Sequence, residues 1–152
     1  MKKIALSLLI LLSVFSCKND DDNEIDCSLI DIGPPNIYIE LVDANGNNLI
    51  ENETYIADNI TVTFKDYIIE NVVFKNVPSI ENFIALSVSG SKGDNTFNIH
   101  LSENETDILT LNLSEREVIC SVTFYTINET TYNGEIQTLK DFNGDYLITI
   151  TK

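Results

Sequence analysis

Three cysteines, one histidine and 24 carboxylates are the residues of this 152-residue chain that could do chemistry. His100 stands alone, and the alternation of Phe97, Ile99 and Leu101 puts it on the polar side of a strand. A lone surface histidine is far more often bystander than catalyst, and with one His and no unpaired reactive Cys, His-dependent triads and His-rich metal sites are nearly excluded. No Cys-x-x-Cys occurs, which removes the zinc ribbon and the thioredoxin-type redox site. A glycosidase needs only two carboxylates. With this many acids, however, a pair at working distance arises by chance, and the chain has no tryptophan to stack a sugar. Residues 43–47 (Asp-Ala-Asn-Gly-Asn) and 141–145 (Asp-Phe-Asn-Gly-Asp) open like calcium loops. Such a loop wants glycine at its sixth position and glutamate at its twelfth. Asn48 and Thr54 stand there in the first stretch, Tyr146 and Lys152 in the second, so both read as turns. No glycine-rich phosphate loop is present. The reading is therefore of a protein that is not an enzyme, with no catalytic residue, no cofactor and no metal site.

The chemistry that does stand out is at the start of the chain. Lys2 and Lys3 precede twelve residues, 4–15, that are apolar apart from Ser7 and Ser13. A bilayer-spanning helix needs roughly 20, so this run has the length of a secretory h-region. Val14-Phe15-Ser16-Cys17 follows and resembles the lipobox of bacterial lipoproteins, with Phe15 bulkier than the residue usual at its place. The resemblance implies cleavage after residue 16, a diacylglycerol thioether on Cys17 and an acylated amino terminus. One acyl chain anchors only marginally, whereas two or three hold a protein on a membrane.

Residues 18–26 carry five carboxylates and almost no apolar side chain, so self-repulsion should keep them extended as a spacer. The order Cys17-Lys18-Asn19-Asp20-Asp21-Asp22 resembles the Bacteroidota signal that exports lipoproteins to the outer face of the outer membrane. Lys18, Asp20, Asp21 and Asp22 carry that resemblance. It implies cell-surface display, with the periplasmic leaflet as the alternative address. The chain as a whole looks like a small lipoprotein of that phylum.

Cys27 and Cys120 remain once Cys17 is committed to lipid. In an exported protein two such thiols are a candidate disulfide. Cys120 falls in the alternation Val118, Cys120, Val122, Phe124 and is expected on a core strand, so a bridge would pin the start of the domain to the sheet. The other reading is a buried free Cys120 with Cys27 exposed.

The elements that must carry these groups are strands. Apolar residues recur with period two at Ile37–Leu41, Ile60–Phe64, Ile84–Val88, Phe97–Leu101, Leu109–Leu113 and Tyr146–Ile150, interleaved with threonine. Residues 67–75 read as one bent strand or two short ones, and 78–82 as a single helical turn. Asn133-Gly134 and Asn143-Gly144 predict type I′ turns. The second should pair residues 136–142 with 145–151 as a terminal hairpin. Pro34-Pro35 marks entry to the first strand. The expected architecture is an all-β antiparallel sandwich of about 7–9 strands, with a closed β-barrel as the alternative. Residues 37–49 resemble the opening strand of transthyretin-like or Ig-like modules of Bacteroidota surface proteins. The domain plan is a removed signal at 1–16, a lipidated acidic tether at 17–28 and a sandwich at 29–152.

Loss of Lys2 and Lys3 with a leader takes the formal charge from −15 to −17. Such a surface repels nucleic acid and anionic headgroups. The partners expected are the membrane, through the lipid, and a protein or glycan ligand met by the loops at 90–95 and 128–133. The function expected is a binding, adhesion or accessory module on the outer membrane. A structural subunit of an envelope complex comes second and a carboxylate-dependent hydrolase third.

Overall fold

The structure is a computed structural model that describes Cys27 and residues 33–152. Cys17, Lys18, Asp20, Asp21 and Asp22, with the signal and most of the tether, lie outside the described residues. Residues 32–152 form one compact unit. Ten strands build it: β1 (Asn36–Val42), β2 (Thr61–Phe64), β3 (Tyr67–Ile69), β4 (Ile84–Ser87), β5 (Gly93–Ser102), β6 (Glu105–Ile119), β7 (Val122–Tyr132), β8 (Glu135–Ile136), β9 (Lys140–Phe142) and β10 (Asp145–Thr151). They form a four-stranded sheet, β4-β1-β10-β9, and a six-stranded sheet, β3-β2-β5-β6-β7-β8. The molecule is thus an all-β sandwich, and the two sheets do not close into a barrel. The strand count exceeds the expected one because β3, β8 and β9 are two or three residues long, too short to show a period.

The period-two runs become the core. Ile37, Ile39, Leu41, Ile84 and Ile148 on one sheet meet Val62, Phe97, Ile99, Leu101, Leu109, Leu111 and Leu113 on the other, all essentially inaccessible. Each such side chain contributes about 1.5–3 kcal/mol when fully buried. The Phe64 and Phe97 rings stack at 4.4 Å between centroids, joining β2 to β5. Leu49, Ile50 and Tyr55, from the long connection after β1, and Val72 and Val73, from that before β4, complete the cluster.

Several expectations are corrected. The sandwich is not wholly antiparallel, because β1 and β10 run parallel, with Ile39 opposite Ile148. Chain ends far apart in sequence meet there, and no hairpin can make a parallel pair. Cys120 does not lie on a core strand. Cys120 and Ser121 both have positive φ, 52° and 65°, and form the two-residue turn between β6 and β7. The alternation from Val118 to Phe124 thus spans a hairpin tip. Residues 136–142 divide between the sheets: β8 pairs with β7, β9 pairs with β10 as far as Leu147, and 137–139 cross over. Residues 78–82 are hydrogen-bonded turns, Ile80 N–H to Val77 O and Phe83 N–H to Ile80 O, rather than a helical turn. The supposed loop at 128–133 is mostly β7, and 93–95 begin β5. Asn133-Gly134 and Asn143-Gly144 do turn as expected, with all four φ angles positive. No helix among the described residues is long and apolar enough to cross a membrane.

Candidate functional site

The two candidate regions differ in kind: one is a closed polar cluster and the other an open apolar edge.

The cluster forms where β10 ends against β6. β10 is drawn there by its parallel pairing with β1, and Lys152 N–H donates to Val42 O at 2.9 Å. The Lys152 side chain then turns across the sandwich. Its Nζ lies 2.6 Å from Asp107 Oδ2 and 2.7 Å from Glu105 Oε1. The Tyr132 hydroxyl donates to Asp107 Oδ2 at 2.8 Å, and Asn133 Nδ2 donates to Oδ1 at 2.9 Å. The Tyr55 hydroxyl donates to Glu105 at 2.9 Å. Asp107 is 4 % exposed. Burial pushes its carboxyl up, but hydrogen bonds from Lys152, Asn133 and Tyr132 outweigh that and hold it below the ordinary range. Burial lowers Lys152, and its bonds to Asp107 and Glu105 more than reverse that. Burial, followed by the Asp107 hydrogen bond, pushes Tyr132 far up, so it stays a neutral donor. Tyr55 is raised by burial and then by Glu105.

Four donor side chains share the two carboxylates, and each carboxylate has more than one partner. An ammonium held charged between two carboxylates and a phenol held neutral are poor general bases at neutral pH. The cluster suits a latch between sheets better than acid–base chemistry. A groove of about 440 Å³ opens beside it, lined by the Tyr132–Gln137 hairpin and the end of β10.

The open edge is β3. Tyr67 is 72 % exposed, Ile68 68 % and Ile69 38 %. The exposure of Tyr67 and Ile69 follows from the unequal sheets, while Ile68, opposite Thr63, lies on the outer face. Ile69 sits opposite Val62 and Tyr67 opposite Phe64, so both project from the core-facing side of the larger sheet. The smaller sheet has two strands fewer and leaves that ledge uncovered. Phe74 and Val77, in the segment leading to β4, are exposed as well.

The residues singled out from sequence are used locally. His100 bridges Thr63 (Nε2 to Oγ1, 2.9 Å) and Thr106 (Nδ1 to Oγ1, 3.0 Å) across three strands of the outer face. Asp43 accepts from Asn45 N–H, Asn47 N–H and Asn47 Nδ2, and the Asn47 bonds depress its pKa. Asp145 accepts from Asn36 N–H at 2.7 Å and from the Tyr38 hydroxyl at 3.2 Å. Among the described residues no group of three His, Cys, Asp or Glu is placed to hold a metal ion. Cys27 and Cys120 are both disulfide-bonded. At 90–95, buried Asn95 accepts from Ser91 N–H and donates to Ser91 O and Gly93 O, so this turn is held from within.

Sequence reasoning missed both regions. Asp107 and Lys152 are 45 residues apart and carry no mutual signal. The β3 edge had one: Tyr67-Ile68-Ile69 is a bulky apolar run just after the polar pair Lys65-Asp66. No protein-family model, curated protein or solved structure matches this chain.

Proposed function

We propose that this chain is a lipid-anchored, non-enzymatic binding module of a bacterial envelope, held through Cys17 and spaced from the membrane by the acidic stretch that follows. The observation that carries the binding reading is the run of three exposed apolar residues on the edge strand β3 of an acidic chain. Soluble proteins seldom leave bulky apolar residues together on an open sheet edge unless a partner covers them. The inert character of the Asp107–Lys152 cluster agrees with a role without catalysis. The anchor rests on the lipobox resemblance, and outer-surface display on Lys18, Asp20, Asp21 and Asp22. Pairing of Cys27 with Cys120 would staple the start of the domain to the β6–β7 turn, a constraint typically worth about 2–4 kcal/mol.

Metabolic labelling with palmitate tests the anchor. Label should enter the full chain and be lost in Cys17→Ser, and an unlabelled chain would end the reading. Protease added to intact cells should cleave the domain, and cleavage only after lysis would move it to the periplasmic leaflet. Alkylation before reduction should leave Cys27 and Cys120 unmodified and joined in one peptide pair. A stoichiometric envelope partner recovered in detergent would favour the structural-subunit role over binding of an external ligand.

A further inference from the structure

We propose that the outer edge of β3 is a docking site for an extended, cationic segment of a partner protein, which adds as a further strand to the six-stranded sheet. The inference rests on the binding-module reading and gives it a location and a partner class.

The backbone geometry comes first. Phe64 and Tyr67 close a two-residue hairpin, with Lys65 at φ 55° in the turn. A closing pair exchanges both of its hydrogen bonds, and the next pair exchanges none. Tyr67 and Ile69 therefore spend their N–H and C=O groups on β2, and Ile68 directs both of its own outward. Among the described residues no strand pairs with β3 on that side. The outward groups of Ile68 are thus a ready template for an added strand.

The other three edges are guarded. At the β4 edge, Ala85 N–H donates to Val72 O and Val73 bridges Ile84, so a passing segment covers it. β9 is no longer than β3, but Lys140 on it reaches to 3.4 Å from Thr149 Oγ1, laying an ammonium along the part of β10 that β9 leaves uncovered. β8 has an exposed Ile136, but the strand is only two residues long and Glu135 is the other. Short strands and edge lysines are the ordinary protections against strand addition. β3 has three exposed apolar side chains in a row. Its one neighbouring lysine, Lys65, lies over the Phe64 ring at 5.1 Å from its centroid.

Charge selects the occupant. Asp66 and Glu70 flank β3, both exposed, on a chain of formal charge −15. In a twofold antiparallel pairing of two copies centred on Ile68, Asp66 of each copy would face Glu70 of the other. Like charges directly opposed disfavour that dimer, and the net charges add to the repulsion. A partner strand with Lys or Arg at each end and apolar residues between meets the same edge with complementary charge. Its apolar side chains would cover Tyr67 and Ile69 on one face and Ile68 on the other.

The test uses the full chain in mild detergent with two labelled synthetic peptides, Lys-Ile-Thr-Val-Tyr-Ile-Lys and the same sequence with Glu at both ends. The lysine-flanked peptide should bind, slow amide exchange at Ile68, and weaken as salt rises, since exposed charges are screened over about 10 Å at 0.1 M. The glutamate-flanked peptide should bind at least about tenfold more weakly. Ile68→Pro removes the outward N–H and leaves the β2 ladder intact, a position where edge proline is tolerated, and it should abolish binding. Ile68→Lys keeps the backbone and should weaken the lysine-flanked peptide alone, which guards against misfolding of the proline variant. Equal binding of both peptides, undiminished binding by Ile68→Pro, or no binding at all would overturn the proposal. So would self-association of the free chain with Ile68 already protected, which would make a second copy the occupant. None of these outcomes depends on palmitate incorporation or protease access, so failure here is distinguishable from failure of the anchored-module reading.

Discussion

Lys152 Nζ stands 2.6 Å from Asp107 Oδ2, so an ammonium at the end of the last strand meets a carboxylate in the middle of the opposite sheet. The pair fastens β10 to β6, where no backbone hydrogen bond can act because the two sheets face each other across side chains. Tyr132 and Asn133 donate to the same carboxylate, so both of its oxygens are hydrogen-bonded. A buried pair contributes little net stability compared with an apolar replacement, yet breaking one half of it is costly.

The two halves should therefore respond unequally. Lys152→Met leaves Asp107 buried without its counter-ion and is expected to cost about 3 kcal/mol. Asp107→Asn should cost less, because Lys152 keeps Glu105 within 2.7 Å. The double variant should cost less than the sum, with a coupling of at least about 1 kcal/mol. Urea unfolding of the four proteins in the cycle measures this, and strict additivity would contradict the latch.

Stability should be level through neutral pH and fall at both extremes. The folded pKa of Asp107 is depressed, so its contribution is complete above the unfolded carboxylate value of about 3.9 and is lost as pH falls through the folded value. Lys152, Tyr55 and Tyr132 are raised in the folded state, so their contributions are complete below about 10 and are lost as pH rises beyond it. Thermal melts from pH 2 to 11 should show a plateau between about pH 5 and 9. In Lys152→Met the folded Asp107 carboxyl loses its main depressing partner, so the share of the acid limb that it contributes should become shallower.

Thr130 is 1 % exposed, and its hydroxyl has no hydrogen-bond partner among the described residues. Thr130→Val keeps the β-branched shape that suits β7 and removes an unsatisfied buried group. The variant should be more stable, by about 1 kcal/mol in chemical denaturation. A loss of stability would mean that the hydroxyl is partnered in solution.

Gly90 has φ +153°, and a Cβ there would fall 2.1 Å from Asn95 Oδ1. Asn95 cannot swing away, because it is 3 % exposed and holds Ser91 and Gly93 through three hydrogen bonds. Gly90→Ala should destabilise by about 2 kcal/mol or more. Gly46→Ala, at φ +86° with open space around it, should cost less, since backbone strain acts there without a clash. Melting temperatures of the two variants make the comparison.

Much of the strand content was legible because burial acts on alternate residues. Ile37, Ile39 and Leu41 show that alternation, and so do Phe97, Ile99 and Leu101. Asn143-Gly144 was legible because both turn positions need positive φ. Cys120 was misplaced for the converse reason. Cys120 and Ser121 adopt positive φ without glycine or asparagine, so no residue type marked the β6–β7 turn, and the alternation seemed to continue through it. Tyr38 reads as the polar side of its strand yet is 7 % exposed, packed edge-on against Phe142 at 5.4 Å.

By itself the sequence determined the all-β class, most of the core and two of the tight turns, since each depends on residues within about ten positions of one another. It also carries the lipobox and the acidic stretch, which need no fold to be read. Tertiary structure alone decided the parallel meeting of β1 with β10, the Asp107–Lys152 latch and the exposure of β3. Pairing partners 109 residues apart in β1 and β10 leave no local pattern, and the β3 ledge exists only because one sheet has six strands and the other four.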